Sequence, residues 1–178
     1  DFKTREVHAG VRPDPVTGAI LTPIYQTTTY VQESVEKYME KGYSYSRSGN
    51  PTVTALEERI TALEGGVGSA CFATGMSATS ATMMAYLNAG DHCILSDVVY
   101  GGTHRISTRV LSRFGVEFTF IDTSDAGNVK EAIQPNTKLI FTETPANPTL
   151  KMTDIAAVSE ISRARGIPHV VDNTFLTP

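Results

Sequence analysis

The chain has 178 residues, 40% of them apolar, and a formal net charge of −4. A chain of this length can bury roughly 70% of its unfolded surface in one core, and its basic residues stand singly, which is unlike a surface for nucleic acid or an anionic membrane. No apolar stretch approaches the roughly 18 residues that span a bilayer, and the charged start DFKTREVH is unlike a signal peptide, so we expect a cytoplasmic protein.

The first 49 residues predict an irregular N-terminal arm. Pro13, Pro15 and Pro23 interrupt this stretch, and a Thr-rich TTTY patch follows at 27–30. Its one helical pattern is the short SVEKYMEK stretch. We therefore place residues 1–49 outside the core domain, which we expect to cover residues 50–178.

A helix is predicted from Pro51 to the glycine pair at 65–66. Asn50 is a good N-cap, and proline suits the first helical position. Apolar residues then recur at helical spacing, at Val53, Leu56, Ile60 and Leu63. The paired glycines favour an end of the helix at that point.

Short apolar runs alternate with amphipathic stretches along the rest of the chain. Strands are predicted at 69–73, 92–95, 116–121, 138–143 and 169–171. Helices are predicted at 76–89, 103–114, 128–133 and 154–165, the last capped by Thr153. This alternation indicates an α/β fold with a mostly parallel sheet and helices on both of its faces.

The two cysteines, Cys71 and Cys93, lie in apolar segments without CxxC spacing. Buried free thiols are therefore favoured over a disulfide or a metal site. His92 adjoins Cys93, which suits opposite faces of a strand better than shared metal ligation. No metal site is predicted.

Four polar or glycine-rich segments follow predicted strands: ATGMSA, SDVVYGGT, ETPANPT and DNTFLTP. Ligands of parallel sheets collect outside the carboxyl ends of the strands. We therefore expect these four segments to converge on one crevice.

The first of these segments contains a strand-to-helix turn at Gly75. A helix that begins near Met76 would direct unpaired N–H groups and the positive end of its dipole into the crevice, which favours a phosphate. The alternative is a tight turn closed by Ser77 or Thr79. A dinucleotide site is disfavoured, because no GxGxxG or Walker pattern occurs and the GGVG series at 65–68 precedes its strand.

Tyr100 and Asp172 supply two further ligand groups. Tyr100 could stack on an aromatic ligand while its hydroxyl transfers protons, or it could be a half-buried core tyrosine. Asp172 could pair with a protonated ring nitrogen, or it could cap the next turn through the amides of Asn173 or Thr174. A phosphate, a stacked ring and a cationic nitrogen together describe pyridoxal phosphate.

Six ordered motifs carry a resemblance that spans nearly the whole chain: YSRSGNPT (45–52), ALEGG (62–66), ATGMSA (73–78), DVVYGGT (97–103), ETPANPT (143–149) and VVDNTF (170–175). They resemble the pyridoxal-phosphate enzymes of Cys/Met metabolism. That group includes the cystathionine lyases and synthases, methionine γ-lyase and O-acetylhomoserine sulfhydrylase. The resemblance implies a large domain like that of type I aminotransferases, preceded by an arm that contacts a neighbouring subunit.

The resemblance also implies roles for residues of the crevice. Gly75 and Met76 would offer backbone N–H groups to the cofactor phosphate. Tyr100 would stack on the ring and act in catalysis as a base and then as an acid toward sulfur. Asp172 would pair with the ring nitrogen.

Four other residues match the family motifs. Asn147 and Thr174 would lie close to the ring hydroxyl. Tyr45 and Arg47 would reach the phosphate of a neighbouring subunit, although Arg47 taken alone would be read as a solvated surface residue. Such sharing implies a homotetramer built from two dimers, each with shared active sites.

The family's Schiff-base lysine is expected beyond residue 178, so we expect a fragment that is not competent alone. The implied reaction is γ-elimination or γ-replacement on sulfur amino acids. Gly102 favours a cystathionine γ-lyase or γ-synthase, because methionine γ-lyases resemble this loop with cysteine there. The sulfhydrylase, methionine γ-lyase and cystathionine β-lyase remain alternatives, as do a phosphate- or nucleotide-binding module and a non-catalytic scaffold subunit.

Overall fold

A computed structural model describes residues 1–38 and 42–178. The chain forms two compact units: Asp1–Cys71 together with Pro178, and Phe72–Thr177. The first unit therefore extends past the boundary predicted at residue 49. It does so because the helix that follows Asn50 packs against the amino-terminal residues.

The first unit contains an amino-terminal helix that the sequence did not predict. Helix α1 spans Phe2–His8, with Asp1 as its N-cap. In the next helix, the Arg59 guanidinium donates hydrogen bonds to the carbonyls of Val7 at 2.7 Å and Ala9 at 3.3 Å. A helix this short depends on tertiary contacts more than on propensity, which explains why its pattern alone did not identify it.

Helix α2 spans Pro51–Glu64, which confirms the prediction for this stretch. The Asn50 side chain accepts the Thr52 N–H at 2.9 Å, and Gly65 ends the helix with φ 65°. Within SVEKYMEK, Glu36–Tyr38 form a 3₁₀ turn, and residues 39–41 lie outside the described residues.

The second unit contains a sheet of four parallel strands. The strands are β1 His92–Ser96, β2 Glu117–Ile121, β3 Thr137–Glu143 and β4 His169–Asp172, in the order β2-β1-β3-β4. The helices are α3 Gly75–Tyr86, α4 Gly101–Arg109, α5 Ala126–Ala132 and α6 Ile155–Arg165. The predicted parallel α/β fold is confirmed.

The core lies on both faces of this sheet. Alternate residues of β1 and β3 point to opposite faces, so Leu95 and Leu139 pack with Met83 of α3 in one cluster. Ile94 and Ile140 pack with helix residues on the other face, Val129 of α5 and Val158 of α6. The predicted placement of helices on both faces is therefore confirmed.

The predicted strand at 69–73 was wrong, because this described segment forms no ladder. Its polar groups bond to α2 instead: the Ser69 hydroxyl donates to the Glu57 carbonyl, and the Cys71 N–H donates to the Glu57 carboxylate at 2.8 Å. Cys71 is exposed, contrary to expectation, whereas Cys93 is buried and free.

Helix boundaries in the second unit also differ from the predicted ones. The helix predicted at 103–114 ends at Arg109, and a 3₁₀ turn, Leu111–Phe114, follows it. Helix α6 is capped by the side chain of Asp154, which accepts the Ala157 N–H at 3.0 Å, and not by Thr153. Boundaries move in this way because caps depend on local backbone angles that periodicity does not encode.

None of the helices formed by residues 1–38 and 42–178 is long and apolar enough to cross a bilayer. The same residues contain no group of three or more His, Cys, Asp or Glu side chains that could hold a metal ion.

We expect the stability of the fold to fall between pH 7.5 and pH 5.5. Burial lowers the pKa of His92 and of His169, while an unfolded histidine takes up a proton near pH 6.5. The unfolded state then binds more protons below about pH 6.5, so the free energy of unfolding falls as pH drops, by less than about 1.4 kcal/mol per pH unit for each ring.

Urea unfolding at several pH values measures this slope. His92→Asn and His169→Asn should each flatten it, while His8→Asn, a change at an exposed residue, should leave it unchanged. A slope that neither buried substitution alters would contradict the assignment.

Candidate functional site

A cleft of about 680 Å³ opens at the carboxyl end of the sheet in the second unit. Its walls are the start of α3, the turn before α4, and the ends of β3 and β4 with the loops that follow them. Segments from all four predicted loop regions reach this cleft. Three of them follow β1, β3 and β4, whose carboxyl ends share one edge because the strands are parallel. ATGMSA follows the described segment that forms no strand, and it reaches the cleft through the start of α3.

The start of α3 presents free backbone donors to the cleft. Thr74 is the N-cap, and its hydroxyl accepts the Ser77 N–H at 3.1 Å. The cap is therefore Thr74, not Ser77 or Thr79 as the tight-turn alternative proposed. Gly75 and Met76 line the cleft, and as the first two helical residues they have no N–H acceptor within the helix. This end of α3 favours an anion.

Tyr100 lies at the N-cap of α4 and lines the cleft. Tyr100 is 56% exposed, and neither of the two core clusters of the described residues includes it. Gly102 leaves room for it: a Cβ there would overlap Cε1 of the Tyr100 ring and Sδ of Met76. One wall of the cleft is therefore the Tyr100 ring, which lies against Gly102 because that residue has no side chain.

Asp172 ends β4 and also lines the cleft. Its Oδ1 accepts the Thr174 hydroxyl at 2.5 Å and the Thr174 N–H at 3.2 Å, so the side chain does cap the next turn. Asp172 therefore caps the turn through Oδ1, while the other oxygen, Oδ2, accepts no hydrogen bond within the described part of the chain.

Glu143 is a cleft residue that the sequence analysis did not single out. It ends β3, is 4% exposed, and accepts the Tyr100 N–H on Oε2 at 2.5 Å. Burial raises its pKa, and the neighbouring Asp172 charge raises it further, whereas the backbone N–H groups of Tyr100 and Asn147 oppose the rise. The sequence does contain a signal for Glu143, because its carboxylate ends an apolar strand, as the carboxylate of Asp172 does.

The two carboxylates are neighbours across the sheet. Glu143 pairs directly with Asp172 in the register of β3 and β4, and like charges at directly opposed positions repel. Among the described residues that line the cleft, these two are the only Asp or Glu, and none is Lys, Arg or His. The cleft can therefore hold a ligand with a cationic atom near the strand ends and an anionic group at α3.

The structure brings together six of the eight predicted site residues in this cleft: Gly75, Met76, Tyr100, Asn147, Asp172 and Thr174. The other two belong to the first unit. There the Arg47 guanidinium carbon lies 5.0 Å from the centroid of the Tyr45 ring, in the range of a cation–π contact.

Comparison with known proteins identifies the family. The model of the Cys/Met metabolism PLP-dependent enzymes matches residues 3–178. The chain belongs to this family. It is 49% identical to a cystathionine γ-lyase of Bacillus subtilis and 50% identical to a probable cystathionine γ-synthase of Herpetosiphon aurantiacus, each over 99% of this chain. These alignments cover 46% and 54% of the two relatives.

A solved structure shows the same fold. The structure of metB from Corynebacterium glutamicum aligns with a TM-score of 0.94 and 46% identity, over 100% of this chain and 46% of that one. The chain thus spans about half the length of the relatives that it matches. The family's cofactor is pyridoxal phosphate.

The cleft of this family member fits pyridoxal phosphate on its own geometry. Free N–H groups at α3 suit the phosphate, the exposed Tyr100 ring suits an aromatic face, and the free Oδ2 of Asp172 suits a protonated ring nitrogen. Asn173 Oδ1 is also buried without a hydrogen-bond partner in the described part of the chain, and its residue lines the cleft.

We expect Gly102→Ala to weaken cofactor binding, because the added methyl group must displace the Tyr100 ring or the Met76 sulfur. Titration of the cofactor-free protein with pyridoxal phosphate, followed by absorbance, should show about a tenfold rise in Kd, as for a shift of about 1.4 kcal/mol.

Gly101→Ala is the matched control. The same methyl group one residue earlier would meet only the Arg105 Nη1 atom, at 3.2 Å, which can move. Both substitutions raise helix propensity equally. Equal Kd values for the two variants would show that Gly102 does not shape the ring wall.

Proposed function

We propose that residues 1–178 are part of a pyridoxal-phosphate enzyme that catalyses γ-elimination or γ-replacement on sulfur amino acids, of the cystathionine γ-lyase or γ-synthase type. One observation carries this proposal: a free helix N-terminus, an exposed aromatic ring and a carboxylate with one unbonded oxygen share one cleft. Family membership and the names of the relatives support it.

Residues of the second unit hold the cofactor in this proposal. The backbone N–H groups of Gly75 and Met76 bind the phosphate, and the Tyr100 ring stacks on the pyridine. Asp172 Oδ2 keeps the ring nitrogen protonated through a charge-assisted hydrogen bond. The bound cofactor supplies an electron sink for charge that develops on the substrate.

Two polar residues support this arrangement. The Thr174 hydroxyl donates to Asp172 Oδ1, which orients the carboxylate so that Oδ2 remains available, and we assign the hydroxyl a place beside the ring hydroxyl. Asn147 lines the cleft, and its side-chain amide can donate to that ring hydroxyl.

Tyr100 is the catalytic residue that this chain itself supplies. In its phenolate form the Tyr100 oxygen takes a proton from the substrate, and the phenol so formed returns that proton to the departing sulfur. Exposure of the side chain to the cleft supports this role, because a general base has to reach the proton that it transfers.

The lysine that binds the cofactor covalently is assigned to sequence beyond residue 178. Relatives about twice as long as this chain support that assignment. The lysine that follows the ETPANPT motif is already engaged, because Lys151 Nζ lies 3.1 Å from Asp97 Oδ2 and 2.9 Å from Asp122 Oδ1.

A homotetramer with shared active sites is part of the proposal, in a cytoplasmic setting. Tyr45 and Arg47 contact the phosphate of a neighbouring subunit, where the guanidinium binds it in a fork. The arm exposes large apolar side chains that a subunit interface would cover: Val16, Ile20, Leu21, Ile24, Val31 and Val35.

The choice of reaction rests on Gly102, which favours the cystathionine γ-enzymes over methionine γ-lyase. Identities of 49% and 50% to a γ-lyase and a γ-synthase do not separate those two. Cystathionine β-lyase and O-acetylhomoserine sulfhydrylase are the alternatives. A module that only binds phosphate would use the α3 N-terminus and leave Tyr100 and Asp172 without a role.

Asp172→Asn in the full-length protein should weaken cofactor function. The asparagine amide cannot hold the ring nitrogen cationic, and a hydrogen bond to a charged group contributes about 1.5–3 kcal/mol. We expect kcat to fall at least about tenfold, with the visible absorption of the bound cofactor altered. Asp125→Asn, at the α5 N-cap outside the cleft, should behave like the wild type.

Product analysis tests the reaction class. The purified full-length protein is offered cystathionine, methionine and an activated homoserine ester with a thiol, in parallel. We expect 2-oxobutyrate from cystathionine, or replacement on the ester. Pyruvate as the main product from cystathionine would instead assign β-elimination, and a protein that stays colourless with added pyridoxal phosphate would overturn the proposed function.

A further inference from the structure

The Glu143 carboxylate joins two walls of the cleft. Its Oε2 accepts the Tyr100 N–H at 2.5 Å, across 43 positions of sequence. The backbone N–H of Asn147 also favours the charged form of this carboxylate and lowers its pKa. One buried side chain therefore holds the turn that carries Tyr100.

The bond to Tyr100 replaces a missing helix cap. Tyr100 is the N-cap of α4, with φ −46° and ψ 137°, and its own side chain makes no capping hydrogen bond. A carboxylate near the start of a helix stabilises the free N–H groups there. Because the Tyr100 side chain is 56% exposed, packing alone does not restrain it; Glu143 restrains its backbone.

This arrangement has a cost that a purely structural role would avoid. Glu143 is buried directly beside Asp172, and no basic side chain lines the described part of the cleft. Burial of an uncompensated charge beside a like charge is unfavourable, whereas an apolar residue at the end of β3 would pack without that penalty. Its hydrogen bond to the Tyr100 N–H is what the carboxylate adds in return.

We infer that Glu143 is a positioning residue, which sets the Tyr100 ring in place beside the cofactor ring through the backbone N–H of Tyr100. The inference rests on the proposed function for the identity of the ligand. The hydrogen bond itself exists without that ligand, so part of the test needs no cofactor.

Amide hydrogen exchange of the cofactor-free full-length protein tests the first step. In Glu143→Ala we expect exchange at the Tyr100 amide to accelerate about tenfold, as for the loss of one hydrogen bond to a charged group. Glu143→Gln keeps one acceptor oxygen, so a smaller acceleration is expected. Wild-type exchange at this amide in both variants would overturn the inference.

Asp154→Ala is the matched control. It also removes a carboxylate that caps a helix, since Asp154 accepts the Ala157 N–H at the start of α6, outside the cleft. This variant should lose a similar amount of stability while exchange at the Tyr100 amide stays unchanged. Equal effects of the two substitutions on that amide would mean that Glu143 acts through stability alone.

Visible circular dichroism of the bound cofactor tests the second step, because that band reports the asymmetric surroundings of the ring. Glu143→Ala should retain pyridoxal phosphate, show a changed band, and lose about tenfold in kcat with little change in KM; Glu143→Gln should recover part of both. If Glu143→Ala does not fold, the comparison of Glu143→Gln with Asp154→Ala tests the positioning role in its place.

The two proposals fail differently. A wild-type protein that binds no pyridoxal phosphate overturns the proposed function, but the exchange result, which needs no cofactor, remains valid. A wild-type protein with a normal cofactor band, matched by unchanged bands in both Glu143 variants, overturns the positioning role alone.

Discussion

The pairing of β3 with β4 is the constraint on which the site depends. Parallel register places Glu143 beside Asp172 at the carboxyl end of the sheet, and two like charges there are tolerated only because each has its own donors. Glu143 accepts the backbone N–H of Tyr100, whereas Asp172 accepts the Thr174 hydroxyl and N–H. The pair leaves the end of the sheet negative and suited to a cationic ring atom.

Polar contacts around this edge keep the surrounding loops in place. A chain of buried hydroxyls runs from Ser96 to Thr123 at 2.6 Å and from Thr123 to Thr153 at 2.7 Å. Lys151 bridges Asp97 and Asp122, which follow β1 and β2. These side-chain bonds connect the ends of β1 and β2 with the loop between β3 and α6, so the loops that form the cleft start from a rigid edge.

The two ends of the cleft have opposite electrostatic character. At α3 the helix N-terminus presents backbone donors and a partial positive charge, and at the strand ends the two carboxylates present negative charge. Tyr100 lies between them with Gly102 behind its ring. A ligand with an anionic tail and a cationic aromatic head matches this order, which is the chemistry of pyridoxal phosphate, the cofactor of the family to which the chain belongs.

The alternation of apolar runs with amphipathic stretches was enough to predict the parallel α/β fold. A strand of a sheet that is covered on both faces reads as a short continuous apolar run. Asp172 and Tyr100 were found because they follow such strands. The apolar run at 69–73 led to a wrong strand prediction, since the Cys71 N–H donates to the Glu57 carboxylate and not to a neighbouring strand. The roles of Glu143 and of both oxygens of Asp172 needed the tertiary structure, because hydrogen bonds between segments 43 positions apart depend on strand register and loop path, which no local pattern encodes.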